Sequence, residues 1–198
     1  MRNHGILAAF ILAAAMAGGA APLKADELHV DKTAANRARF TATYAGQTFG
    51  GTTGKIDGYV FWKSADPDSG LFEGSDLYVE VDLNSLDTGI GLRNHHMKEN
   101  YLHTGKYPFA AFKGKILKSA RPGGGDRLVN VEGVMTIHGV GRPLALTGRV
   151  DVAGDRYRLS CSFPVDIREY GIEVPSLMGM KVSPVLTIDM DVMLIKFR

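Results

Sequence analysis

Apolar and polar residues alternate with period two through most of this chain. In RLVNVEGVMTIHG, Val129, Val131, Gly133, Met135 and Ile137 fall on one side, and Asn130, Glu132, Thr136 and His138 fall mostly on the other. That alternation predicts a strand with one buried and one solvated face. YRLSCSFPV repeats it, setting Tyr157, Leu159, Cys161, Phe163 and Val165 against Arg158, Ser160 and Ser162. PVLTIDMDVMLIKF places Leu186, Ile188, Met190, Val192 and Leu194 together, DLYVEVDLNSL places Leu77, Val79, Val81 and Leu83 together, and RARFTATY does so for Ala38, Phe40, Ala42 and Tyr44. Turn-forming breaks lie between the runs: DPDSG at 66–70, RPGGGD at 121–126, GVGRP at 139–143 and VAGDR at 152–156. Their spacing suits successive hairpins, hence an antiparallel meander rather than βαβ crossovers. About eight such strands suffice to close a sheet, and closure removes exposed edges. The predicted fold is all-β, an eight-stranded antiparallel barrel.

One segment breaks the alternation. LRNHHMKENYL spaces Leu92, Met97 and Tyr101 near a helical repeat, which predicts a short helical insertion. KYPFAAFKGKI then turns at Pro108 and enters a strand, because proline cannot continue a helix and biases Tyr107 toward extended geometry.

The first 25 residues change the picture of where the barrel begins. MRNHGILAAFILAAAMAGGAAPLKA has a basic start, an apolar stretch and small residues leading to Ala25, the pattern of a secretory signal peptide. The apolar run is shorter than the ~20 residues needed to span a bilayer, so no membrane span is expected in the mature chain. Residues 26–198 then form one domain. Its single cysteine, Cys161, cannot form an internal disulfide and reads as a small core residue on a strand. The net charge of +2, with cations dispersed rather than clustered among aromatics, gives no indication of nucleic acid as a partner. Asp189 and Asp191, two apart on one strand face, read as a solvated surface.

A barrel of eight strands is either filled by side chains or holds one small ligand. Inward positions include Gly54, Gly58, Gly133 and Gly148 beside Met135 and Met190. Glycines there either leave room for a cavity or relieve strand curvature, and a cavity is the expectation. Its apolar lining is assigned by parity to Phe40, Val60, Trp62, Leu77 and Val79. From the helix and the next strands come Leu92, Met97, Phe112, Met135 and Ile137, and from the last third of the chain Leu146, Phe163, Ile172 and Met178.

The histidine-rich stretch 92–108 suggests a second chemistry, a metal-binding or redox accessory module using His95, His96, Met97 and His103. Spacing speaks against it. Adjacent His95 and His96 point about 100° apart on a helix, and His96 and His103 stand roughly 10 Å apart along its axis. A metal requires nitrogens converging at about 2 Å. No metal site is therefore assigned. Nothing resembling G-x-S-x-G accompanies these histidines, so no catalytic residue is assigned and no enzymatic activity is expected. Arg93 and His96 are expected either to anchor the helix to the barrel or to meet a ligand headgroup, since Arg suits bidentate contact with phosphate or carboxylate.

GLRNHHMKENYLHTGKYPFAAFKGKI, VEGVMTIHGVGRPLALTGRV and SFPVDIREYGIEVPSLMGMKVSPVLTIDMDVML, in that order and after the opening LHVDKTAANRARF, resemble the YceI-like family of bacterial secreted proteins. The resemblance spans nearly the whole mature chain. It implies a lipocalin-like barrel with a small helical insertion, located in the periplasm, whose apolar interior sequesters a polyisoprenoid, an isoprenoid quinone or another long-chain amphipathic lipid. No cofactor is implied, and a homodimer is left open as a state of assembly.

Overall fold

In the computed structural model, residues 26–62, 72–124, 126–177 and 180–197 are described. The expected signal segment, residues 1–25, lies outside them. The strands are β1 (Asp26–Val30), β2 (Arg37–Tyr44), β3 (Gln47–Thr53), β4 (Ile56–Trp62), β5 (Asp76–Asp82) and β6 (Phe109–Ala120). They continue with β7 (Arg127–Ile137), β8 (Val140–Ala153), β9 (Arg156–Asp166), β10 (Ser176–Leu177), β11 (Met180–Lys181) and β12 (Val185–Lys196).

Strands β1, β4, β5, β6, β7, β8, β9 and β12 pair in that order, and β12 pairs back with β1 to close an eight-stranded antiparallel barrel. The parity read from the sequence holds along the long strands. In β7, for example, Val129 and Val131 are buried while Asn130 and Glu132 are exposed. β2 and β3 form an additional hairpin that also pairs with β12, over Thr187–Asp191, above the stretch where β12 meets β1. One edge of β12 is thus shared by two strands. At the handover Asp31 N donates to Met193 O (2.8 Å), and Met193 N donates to the side-chain Oδ1 of Asn36 (2.8 Å). A side-chain amide there takes the place of a ladder carbonyl, so the backbone of β12 stays satisfied across the break.

One end of the barrel is filled. Phe72 and Leu28 are fully buried, with Ile116 and Leu194 at 1 % exposure. Phe72 packs edge-on against Trp62 (5.6 Å) and Tyr157 (5.3 Å). Phe72 has φ +70°, an uncommon backbone for an aromatic residue, held by Ser75 N donating to Phe72 O and Gly74 N donating to Ile116 O.

The inward glycines divide between the two expected roles. A Cβ on Gly133 would lie 2.3 Å from Lys113 O and 2.7 Å from the Phe112 ring, and one on Gly58 would lie 2.3 Å from Tyr78 O. Both positions serve close strand approach, and the expectation that they open space is corrected. Gly148 is different: its nearest neighbours would be at 3.4 Å or more, and it borders the cavity.

The insertion forms helix α1 (Gly91–His96), which widens into a π-type turn over Met97–Leu102 and ends at His103 with φ +46°. No helix among the described residues is long and apolar enough to cross a membrane.

Candidate ligand-binding cavity

Between the Trp62–Phe72–Tyr157 floor and α1 lies a cavity of about 690 Å³. Phe40, Val60, Leu77 and Val79 line it from the first half of the barrel, as parity predicts. Phe112, Met135, Ile137, Leu146, Phe163 and Ile172 line it from the second. Trp62 does not. It shares the inward parity of Val60, but it sits lower, at the end of β4, where its ring is spent on Phe72 and is 2 % exposed. Its assignment to the lining is corrected to the floor. Met178 lies outside the described residues. Several lining residues were not among the candidates, notably Phe49 on the β2–β3 hairpin and Leu86 and Ile90 ahead of α1. The first lies in QTFGG, which has little apolar alternation, and the others in an irregular segment.

Leu92, Arg93, His96 and Met97 all border the cavity from α1 and its extension. Two residues fasten the start of this lid. The Asn94 side chain accepts from Thr88 N (2.8 Å) and Thr88 Oγ1 (2.6 Å) and donates to Asp87 Oδ1 (2.7 Å). A guanidinium N–H of Arg93 donates to Thr88 O (2.6 Å), and the group lies 5.1 Å from the centroid of the Phe49 ring. Arg93 is therefore an anchor, but its buried Nε has no hydrogen-bond partner among the described residues. His96 is exposed, with its ring 6.1 Å from that of His95, and among the described residues no hydrogen bond anchors it. Its expected anchoring role passes to Asn94, which the sequence analysis did not single out.

The histidines do not assemble as a metal module. His103 leaves the group and meets His138 from the β7–β8 turn, Nδ1 to Nε2 at 2.8 Å with rings stacked at 5.0 Å. His138 Nδ1 lies 3.3 Å from Tyr170 O. If Nδ1 donates there, Nε2 is the acceptor and His103 supplies the proton between the rings. Among the described residues no group of three His, Cys, Asp or Glu could hold a metal ion. The pair instead ties the end of the lid to the barrel wall.

Cys161 faces the cavity from β9. Burial, assisted by the charge of Asp189, pushes its thiol up to about 11, so at neutral pH it is a small apolar surface rather than a nucleophile. Asp189 and Asp191 lie on the opposite parity of β12, where Asp191 Oδ1 accepts from Arg158 Nε at 2.8 Å.

A family model described as YceI-like domain matches residues 28–194. A UPF0312 protein of Pseudomonas putida is 28 % identical over 149 residues, covering 72 % of this chain and 70 % of its own length. One of Pseudomonas savastanoi pv. phaseolicola is 27 % identical over 195 residues, covering 94 % and 93 %. Among solved structures, Burkholderia cenocepacia BcnA superposes with a TM-score of 0.67 at 18 % identity, covering 83 % of this chain and 98 % of its own. A polyisoprenoid binding domain from Saccharophagus degradans, implicated in plant cell wall breakdown, gives 0.64 at 16 % identity, with coverage of 86 % and 98 %. At these identities the superpositions establish the shared barrel.

Proposed function

Because the chain belongs to the YceI-like family, we propose that it is a periplasmic carrier that sequesters one long-chain isoprenoid, quinone or similar amphipathic lipid in its barrel. The observation that carries this reading is the cavity itself, about 690 Å³ with predominantly apolar walls, a packed floor, and Thr88, Arg93 and His96 among its polar lining residues at the lid. At protein-like packing density it accommodates about 500 Å³ of ligand, on the order of thirty carbon atoms. Desolvating several hundred Å² of tail at about 25 cal/mol per Å² supplies ample gross driving force. The orphaned Nε–H of Arg93 provides a donor for the one polar end such a molecule carries. The likeness to a polyisoprenoid binding domain supports the ligand class, and the leader-like first 25 residues support export. No chemical step belongs to the proposal.

The test is native mass spectrometry of the purified protein together with identification of its organic extract, and fractionation of cells expressing the full chain. One bound isoprenoid lipid or quinone per chain, in the periplasmic fraction, is expected. A protein that carries no lipid and takes up none when offered geranylgeraniol would overturn the carrier reading.

A further inference from the structure

The lid is unusual in what it leaves uncovered. No residue from Gly91 to Leu102 is fully buried: Met97, Tyr101 and Leu102 are half-buried, the last two packed against the cluster around Phe163 and Ile172, while Leu92 faces outward. Leu92 is 66 % exposed and Ile90 53 % exposed, and both also border the cavity. The apolar lining therefore continues over the rim and onto the outer surface. Gly89 and Gly91 flank Ile90, and a Cβ on either would meet nothing within 4 Å. The start of the rim is fastened by the Asn94 and Arg93 contacts with Thr88 and Asp87. The start of this element, fastened by polar groups with Ile90 and Leu92 in water, has an apolar surface prepared for something outside the chain.

Charge narrows the choice of partner. Residues 87–106 carry Arg93, Lys98 and Lys106 as cations, with His95 and His96 exposed beside them. Their acidic side chains are Glu99 and Asp87, and the Asp87 carboxylate already accepts from Asn94 Nδ2 and Gly89 N. Exposed aliphatic side chains beside a net positive charge, three cations against two carboxylates, match an interface between acyl chains and anionic phosphate headgroups. We propose that the Ile90–Leu92 rim docks the open end of the barrel on an anionic phospholipid bilayer, so that an apolar ligand passes between membrane and cavity without crossing water. This rests on the carrier reading, which requires a source and a destination for a molecule that water does not dissolve.

The experiment is co-sedimentation of the mature protein with vesicles of phosphatidylethanolamine and phosphatidylglycerol, comparing Ile90→Asp and Leu92→Asp with Phe197→Asp. Phe197 is equally exposed but lies at the far end of the chain, after β12. The expected result is that either rim variant weakens partitioning by roughly tenfold or more, while Phe197→Asp leaves it unchanged. As a second readout, an environment-sensitive dye on Leu92→Cys in a Cys161→Ser background shifts to the blue on adding vesicles, and the same dye on Phe197→Cys does not. No vesicle binding, equal loss in all three variants, or a shift at both dye positions overturns the docking. Geranylgeraniol uptake in vesicle-free solution is measured in parallel. A protein that takes up the alcohol but ignores vesicles overturns docking and leaves the carrier reading standing, whereas one that docks but takes up nothing overturns the carrier reading.

Discussion

The two ends of the barrel are built on opposite terms. At the closed end Phe72 enters from a loop, meets Trp62 and Tyr157 edge to face and is removed from solvent entirely, at the cost of a left-handed backbone. At the open end the helical segment 91–102 has no fully buried residue, leaves Leu92 in solvent, and is held by an asparagine, an arginine and the His103–His138 contact. The closed end draws its stability from burial. The open end exchanges burial for access, because side chains packed into a core would fill the space a ligand needs. Apolar content alone therefore does not say whether a segment is core; what matters is whether its own chain covers it.

Cutting into the floor tests that contrast most severely. Phe72→Ala is expected to lower unfolding free energy by about 3–5 kcal/mol, measured by urea denaturation. A loss of under ~1 kcal/mol would mean that the floor is no more stabilising than the lid. Next in size is the chemistry of Cys161. With its thiol near 11, only about one part in a thousand is thiolate at pH 8, against roughly a quarter for an unperturbed cysteine. Alkylation by iodoacetamide should therefore run about two orders of magnitude slower than in the urea-unfolded chain, and slower still with the cavity occupied. At the lid, Asn94→Ala removes hydrogen bonds but no packing and should cost about 1 kcal/mol. Its larger effect is expected in faster amide exchange over 91–102, with the floor strands unchanged. Smallest is Asp191→Asn, on the wall between the two ends, which should shift the melting temperature by at most about 4 °C and less at high salt. The hydrogen bonds from Arg158 hold the Asp191 carboxyl below its usual range. Its stabilisation is therefore complete above about pH 4, the unfolded-state value, and is lost as pH falls through the lower folded value. The variant should lack that part of the acid dependence.

The strands and their inward faces were legible because period-two burial is a local property: Val129, Val131 and Phe163 need nothing beyond their neighbours to be placed. Height along the barrel is not local. Val60 and Trp62 share a parity, yet one borders the cavity and the other builds the floor, and the difference depends on Phe72, twelve residues beyond Val60 in a loop without period. Arg93 was legible as an anchor, but Asn94 was not, because its value comes from Thr88 and Asp87 lying on the bend before α1. The His103–His138 contact joins residues 35 apart whose backbones both enter the left-handed region, something spacing within one segment could not reveal.

The shared edge of β12 has a consequence for how the molecule opens. Over Thr187–Asp191 that edge belongs to the β2–β3 hairpin, and on the far side of β3 the described residues supply a single bridge, Thr52 to Asp87. The closed hoop of eight strands does not run through this hairpin. Fluctuations that release β2 and β3 therefore leave the hoop intact, so the hairpin forms a separate cooperative unit with a lower opening free energy than the strands around the floor. Phe49 and Phe40 move with it, so part of the wall has its own unfolding equilibrium while the rest of the molecule stays folded.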